Sequence, residues 1–74
     1  MNADFEKTVG ARIRTCREKG GLTQEQLSAR LQVGGCDITR SALAKMEVGQ
    51  RHIYVDELKL IKEILHIDYD DLLE

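Results

Sequence analysis

The sequence predicts an all-α fold of five short helices, and three kinds of observation support this prediction. Apolar residues in the first quarter of the chain recur three and four positions apart, which is the spacing of one helix face. Two glycine pairs, Gly20-Gly21 and Gly34-Gly35, divide the chain into segments of helical length. Residues that favour helix N-termini stand before three later segments, at Thr23, Thr39 and Asp68. Proline is absent, and 74 residues allow one domain with a small core.

The first helix is expected to run from about Asp4 to Lys19 and to end at the first glycine pair. Its apolar stripe consists of Phe5, Val9, Ile13 and Cys16. Cys16 is therefore expected to be buried. Because Cys16 and Cys36 do not form a close-spaced pair and no signal peptide is evident before them, both are interpreted as reduced thiols of a cytosolic protein.

The second helix has the clearest start signal in the sequence, Thr23-Gln24-Glu25-Gln26. The hydroxyl of Thr23 can accept from the backbone N–H of Gln26, and the Gln26 side chain can reach back to the backbone of Thr23, which is a capping box. The helix is expected to end at Gln32 or Val33, before the second glycine pair. The positions expected to be buried are Leu27 and Leu31.

A third helix is expected from about Thr39 to Val48, with Thr39 as its cap and Gly49 as its stop. Its narrow apolar stripe consists of Ala42, Leu43 and Met46, and its other face carries Arg40, Ser41, Ala44 and Lys45. A thin helix with such a face fits a DNA major groove, where Arg and Lys donate to guanine and an alanine methyl can touch thymine. For this segment taken alone, a solvated helix face is the alternative.

The last two helices follow a polar loop from Gln50 to Tyr54. One is expected from about Val55 to Leu65, and its buried positions are Leu58, Ile61 and Leu65. The other is expected from Tyr69 to Leu73, with Asp68 as its cap.

The net charge of −2 argues at first against a nucleic-acid partner, but the charges are unevenly distributed. Residues 1–51 carry a balance of +3, and residues 52–74 carry a balance of −5. This asymmetry is compatible with a basic face on the first part and an acidic, solubilising second part. It also predicts weak nonspecific DNA binding, because few phosphates can be neutralised.

Other classes of function have little support in the sequence. His52 and His66 lack partners at metal-ligand spacing, so neither a metal nor a cofactor is expected. No arrangement of residues suggests catalysis or a small-molecule pocket, and the chain is not expected to be an enzyme. No signal peptide or membrane-spanning run is evident, which leads us to expect a cytoplasmic protein with no membrane partner.

The motifs taken together closely resemble the Xre/Cro/CI family of helix-turn-helix DNA-binding domains. The resemblance covers about Val9 to Leu73, and the combination of its Leu-Thr-Gln-Glu start with its Glu-x-Gly end is specific. It is carried by Ile13-Arg14 with Arg17, by residues 22–27, by residues 38–47 with Gly49, and by Leu58, Ile61, Leu65 and Asp71-Leu72. The family implies a five-helix lambda-repressor-like fold that binds double-stranded DNA through its third helix as a homodimer.

The resemblance also implies roles for individual residues. It implies that Gln24 contacts a DNA phosphate and that a polar loop after the third helix approaches the backbone. The full set of implied DNA-binding residues is Gln24, Thr39, Arg40, Ser41, Ala44, Lys45, Gln50 and Arg51. Arg17 and Glu47 are implied to form a structural ion pair that fixes the angle of the third helix.

The sequence departs from the common family pattern in two places. The turn before the third helix is about five residues longer, over residues 32–36, which predicts a longer second helix followed by a loop. Val48 occupies a position where a polar residue is usual, and it is expected to be exposed together with Leu60. Dimerisation is expected on the fourth and fifth helices, with Leu60, Tyr69 and Leu73 as candidate contacts.

These inferences lead to an expected function: a small transcriptional regulator of bacterial or phage origin, acting as a repressor by occupying its DNA site. The alternative is a protein-interaction module, such as an antitoxin-like partner, with weak or absent DNA binding. The acidic total charge favours the alternative, and the polar face of the third helix favours DNA.

Overall fold

Five helices follow one another along the chain in the computed structural model, which describes residues 2–74. They are α1 (Ala3–Lys19), α2 (Gln24–Val33), α3 (Arg40–Glu47), α4 (Val55–Leu65) and α5 (Tyr69–Leu73). Over residues 2–74 there is no strand, so the all-α prediction and the five helices are confirmed. No helix in this range combines the length and apolar character needed to cross a bilayer.

The starts of α2 and α3 are formed by the side chains that the sequence indicated. The Thr23 hydroxyl accepts from the N–H of Gln26 at 3.1 Å, and Gln26 Oε1 accepts from the N–H of Thr23 at 2.8 Å. Thr39 caps α3 through the same contact with the N–H three residues later, also at 3.1 Å. At α5 the predicted cap was the Asp68 side chain. The bond observed there is instead accepted by the side chain of Asp71, whose Oδ2 receives the backbone N–H of Asp68 at 2.8 Å.

The core draws apolar side chains from every helix and from the loops before α3 and α4. Its members are Val9, Ile13, Leu27, Leu31, Ile38, Leu43, Met46, Ile53, Leu58, Ile61 and Leu72. The central helix is α1, which packs against α3, α4 and α5, while α2 packs against α3 and α4. Because α3 lies between α1 and α2, its position is set by contacts on two sides.

Some predicted core positions differ from those observed. Phe5 is 39% exposed, whereas Glu6 beside it is buried, because the backbone N–H of Ile53 donates to the Glu6 carboxylate. The loop therefore covers Glu6, and it buries Ile53 in a segment that was expected to be polar. Cys16 and Leu65 are half-buried and pack at the edge of the core.

Candidate nucleic-acid interface

The outward face of α3 is polar and accessible. Thr39, Arg40, Ser41 and Lys45 are exposed, and Ala44 is half-buried among them. On the opposite face, Leu43 and Met46 have no accessible surface. The structure therefore brings the predicted DNA-binding residues at positions 39–45 together on one side of a short helix whose other side is fixed in the core.

The lengthened turn between α2 and α3 is anchored by hydrogen bonds. The Ser28 hydroxyl donates to the carbonyl of Ile38 at 2.8 Å, and Gln32 Nε2 donates to the same oxygen at 3.2 Å. Ser28 is 4% exposed, and the side chain of Ile38 is fully buried. Since Ile38 directly precedes the Thr39 cap, these contacts fix the point at which α3 begins.

A buried ion pair holds the other end of α3. Arg17 Nε donates to Glu47 Oε2 at 2.7 Å, and Arg17 Nη2 donates to Glu47 Oε1 at 3.0 Å. Arg17 Nη1 also donates to the carbonyl of Leu22 at 2.8 Å. The hydrogen bonds with Glu47 raise the pKa of Arg17. One guanidinium group thus joins α1, the start of α2 and the last turn of α3.

Gln24 lies on the same ion pair. Its Nε2 donates to Glu47 Oε1 at 3.1 Å, and its side chain forms part of a cleft of about 820 Å³ between α1, α2 and α3. The cleft is lined by Arg14, Arg17, Thr23, Gln24, Glu25 and Arg40. The sequence did not indicate the bond between Gln24 and Glu47 or the place of Arg14 in this cleft, because no local pattern relates positions so far apart.

The two predicted loop residues have different environments. Gln50 is exposed, whereas Arg51 is half-buried and donates from Nη1 and Nη2 to the Glu57 carboxylate at 2.8 and 3.0 Å. Arg51 Nη1 also donates to the carbonyl of His52 at 2.9 Å. Burial by itself would raise the pKa of Glu57, but the hydrogen bonds from Arg51 and from the N–H of Tyr54 lower it. In this structure Arg51 therefore joins the loop to α4.

A second contact joins the same loop to α1. His52 Nδ1 lies 2.9 Å from Glu6 Oε1, and the N–H of Ile53 donates to Glu6 Oε2 at 2.8 Å. The backbone bond from Ile53 and then the bond with His52 lower the pKa of Glu6. The loop after α3 is thus held at both sides by buried carboxylates.

Metal-binding groups do not cluster in the described part of the chain: residues 2–74 contain no group of three or more His, Cys, Asp or Glu side chains that could hold an ion. Cys16 and Cys36 carry free thiols. The residues predicted to contact DNA lie on α3, at the start of α2 and in the loop after α3.

Comparison with known proteins agrees with this geometry. The sequence model of a family described as helix-turn-helix matches residues 13–72. The chain belongs to the helix-turn-helix family. Its type is that of the Xre/Cro/CI proteins, as the motif residues indicated. Family membership makes the chain a DNA-binding domain of a transcription regulator.

This helix-turn-helix chain is also similar to a solved structure, the crystal structure of the DNA-binding domain of BldD. The two share 23% sequence identity and superpose with a TM-score of 0.82, over 100% of each chain. At this identity the likeness shows a common fold. No curated protein matches the sequence.

Proposed function

We propose that the chain is a transcriptional repressor that binds a specific double-stranded DNA site with α3 in the major groove. The observation that carries this proposal is the exposed polar face of α3, which the Ile38 anchor holds at one end and the Arg17–Glu47 pair at the other. A recognition helix needs such support, because base readout depends on side chains held at a fixed position relative to the groove.

Contacts to bases are assigned to the residues that α3 presents outward. Arg40 and Lys45 supply charged donors, and Ser41 supplies a hydroxyl that can bond several base edges. Ala44 lies between them and is small enough for the helix to approach the base pairs, while Thr39 caps the helix end that enters the groove.

Contacts to phosphates are assigned to the elements on either side of α3. Gln24, at the first position of α2, and Gln50, in the loop after α3, carry amide donors suited to phosphate oxygens. Arg51 lies in the same loop, and because its guanidinium is bound to Glu57 its part near the backbone is to hold the loop in place rather than to supply a free charge. Phosphate contacts of this kind fix the register in which α3 meets the bases.

The repressor is proposed to act as a homodimer through α4 and α5. Tyr69 is 40% exposed, and Leu60 and Leu73 are half-buried, which leaves apolar surface on these two helices for a second copy. A symmetric pair would place two α3 helices on successive turns of one DNA face, so the site would be an inverted repeat.

Selection from a random pool of duplex DNA at about physiological salt tests the proposal, because nonspecific binding is largely screened there. Enrichment of an inverted repeat with half-sites about one helical turn apart is the expected result. The double variant Arg40→Ala/Lys45→Ala should enrich nothing. Lys19→Ala/Lys59→Ala, which removes equal charge from exposed positions outside α3, should recover the wild-type site.

Two outcomes would contradict the proposal. An unenriched wild-type pool would favour the protein-interaction alternative, for which a pull-down from the native cytosol is the next experiment. Sedimentation as a monomer at tens of micromolar, both free and on an enriched site, would contradict the homodimer.

A further inference from the structure

Glu47 accepts three hydrogen bonds, and only two of them belong to the ion pair with Arg17. The third comes from Gln24 Nε2, at 3.1 Å from Glu47 Oε1. Glu47 is 3% exposed, so the Gln24 amide meets a carboxylate held out of water. A bond to a buried charged acceptor is stronger than one to a neutral or solvated group.

This contact settles which way the Gln24 carboxamide faces. With its two ends exchanged, Gln24 Oε1 would lie against Glu47 Oε1, and two acceptors would repel each other. The amide nitrogen must therefore face the carboxylate. It carries a second N–H, which Glu47 does not use and which remains free for another acceptor.

The charges of the network also favour an anion at this place. A carboxylate alone would repel a DNA phosphate, but Arg17 neutralises Glu47 through two bonds of 2.7 and 3.0 Å. A phosphate in the adjoining cleft therefore meets an oriented amide donor beside an ion pair that carries no net charge. The walls of the cleft add two cations, Arg14 and Arg40, against one carboxylate, Glu25, so the positive charge still prevails there.

We infer that Glu47 is a positioning residue for DNA binding: it orients the amide of Gln24 toward one phosphate of the DNA backbone and thereby couples that contact to α3. The inference rests on the proposed function. Orientation in the free protein increases affinity, because a side chain already held in place loses less conformational freedom on binding. A shift of the last turn of α3 would move the Gln24 donor with it.

The first test uses the unmodified protein. Side-chain amide relaxation measured by NMR in the absence of DNA should show Gln24 to be as ordered as the backbone of α2. Gln50, an exposed glutamine of the same interface, is the matched control and should be mobile. A Gln24 amide as mobile as that of Gln50 would overturn the inference without reference to DNA binding.

The second test locates the phosphate. In the selected duplex, each phosphate is replaced in turn by an uncharged methylphosphonate, and the dissociation constant is measured at low temperature for variants shown to be folded by circular dichroism. In the wild type, one position per half-site should lose roughly tenfold in affinity through the missing Gln24 contact. Gln24→Ala should abolish the sensitivity at that position alone.

Glu47→Gln is the decisive variant. It keeps the size of the side chain but leaves one acceptor oxygen for three donors, and the charged Arg17 competes for that oxygen more strongly than the neutral Gln24 amide. The phosphate position whose methylphosphonate substitution no longer lowers the affinity of Gln24→Ala should therefore also have no effect on the affinity of Glu47→Gln. Glu57→Gln is the matched control, because Glu57 is also bound by two nitrogens of an arginine but touches no glutamine.

The outcomes separate this inference from the proposed function. If Glu47→Gln remains sensitive to the methylphosphonate at this position, the inference is overturned. It is also overturned if both Glu47→Gln and Glu57→Gln lose that sensitivity, because the loss would then be a general effect of a broken ion pair. In either case the selected DNA site stands. If Glu47→Gln does not fold, the NMR comparison of Gln24 with Gln50 decides. If the wild-type protein binds no duplex at all, the proposed function is contradicted, and so is this inference, which depends on it.

Discussion

Gly10 of α1 lies against the backbone carbonyl of Met46 in the last turn of α3, and a Cβ atom at position 10 would overlap that oxygen. The overlap is with main-chain atoms, which cannot rotate away as a side-chain end can. The absence of a side chain at Gly10 therefore permits the close crossing of α1 and α3 and helps to place α3.

Gly10→Ala should lower the free energy of unfolding by about 2 kcal/mol or more, because the two helices must separate to accommodate the methyl group. Urea unfolding followed by circular dichroism measures the change. Gly20→Ala is the control: its Cβ would meet the nearest atom at 3.4 Å, and its φ of −79° suits alanine. Equal stabilities for the two variants would show that the crossing at Gly10 does not constrain the fold.

The limits of the helices could be predicted because their signals are local. The capping box joins Thr23 to a residue three positions later, and Gly49 ends α3 with a φ of +79° that favours glycine. The role of Gly10, in contrast, has no local signal. A glycine in the middle of a helix only lowers the helix propensity of its own segment, and the sequence does not show that another helix packs against it. Ile53 lies in a segment that the sequence predicts to be a polar loop, and its burial in the core could not be predicted because it depends on how that loop packs against the helices.

The composition of the candidate site was predictable, and so was its Arg17–Glu47 pair through the family resemblance, but its other contacts were not. The polar face of α3 follows from helical spacing, which puts Arg40 and Lys45 away from the apolar stripe. The bond between Gln24 and Glu47 joins residues 23 positions apart, and the pairing of Arg51 with Glu57 requires the loop to fold back on α4. Such contacts depend on how the helices pack, which residue spacing does not encode.

The Arg17–Glu47 pair should be essential for stability. Arg17→Met keeps much of the apolar stem but leaves the Glu47 carboxylate buried without its counter-charge, for which the expected loss is about 3–5 kcal/mol. Arg14→Met removes an exposed arginine from a 3.6 Å contact with Glu18, and the expected loss is below about 1 kcal/mol. Thermal and urea unfolding of both variants measures the difference, and similar losses would contradict a structural role for the buried pair.

Stability should fall as the solution becomes acidic, with Glu6 as one cause. Its folded-state pKa is lowered by the N–H of Ile53 and by His52, so its ionised form stabilises the folded chain. A lowered pKa gives a contribution that is complete above the unfolded-state value, about 4.3, and is lost as the pH falls through the folded-state value. Glu6→Gln should flatten the fall in unfolding free energy between about pH 5 and pH 3. Parallel curves for Glu6→Gln and the wild type would contradict this role.

Arg40 and Gln24 should differ in the kind of DNA affinity that they supply. Arg40→Ala removes a charged donor from the exposed face of α3 and should cost about 1–3 kcal/mol on the selected site, with base preference relaxed at one position per half-site. Gln24→Ala removes the proposed phosphate contact and should weaken binding to all sequences by a similar factor. Dissociation constants for the selected duplex and a set of its single-base variants measure both effects, with Lys19→Ala as the control for lost charge.

If both variants bind every duplex as the wild type does, these residues are not the contacts, even where DNA binding itself persists. If instead Gln24→Ala changes the preference for one base, Gln24 contacts the bases and the separation of phosphate-binding and base-reading roles between α2 and α3 is wrong.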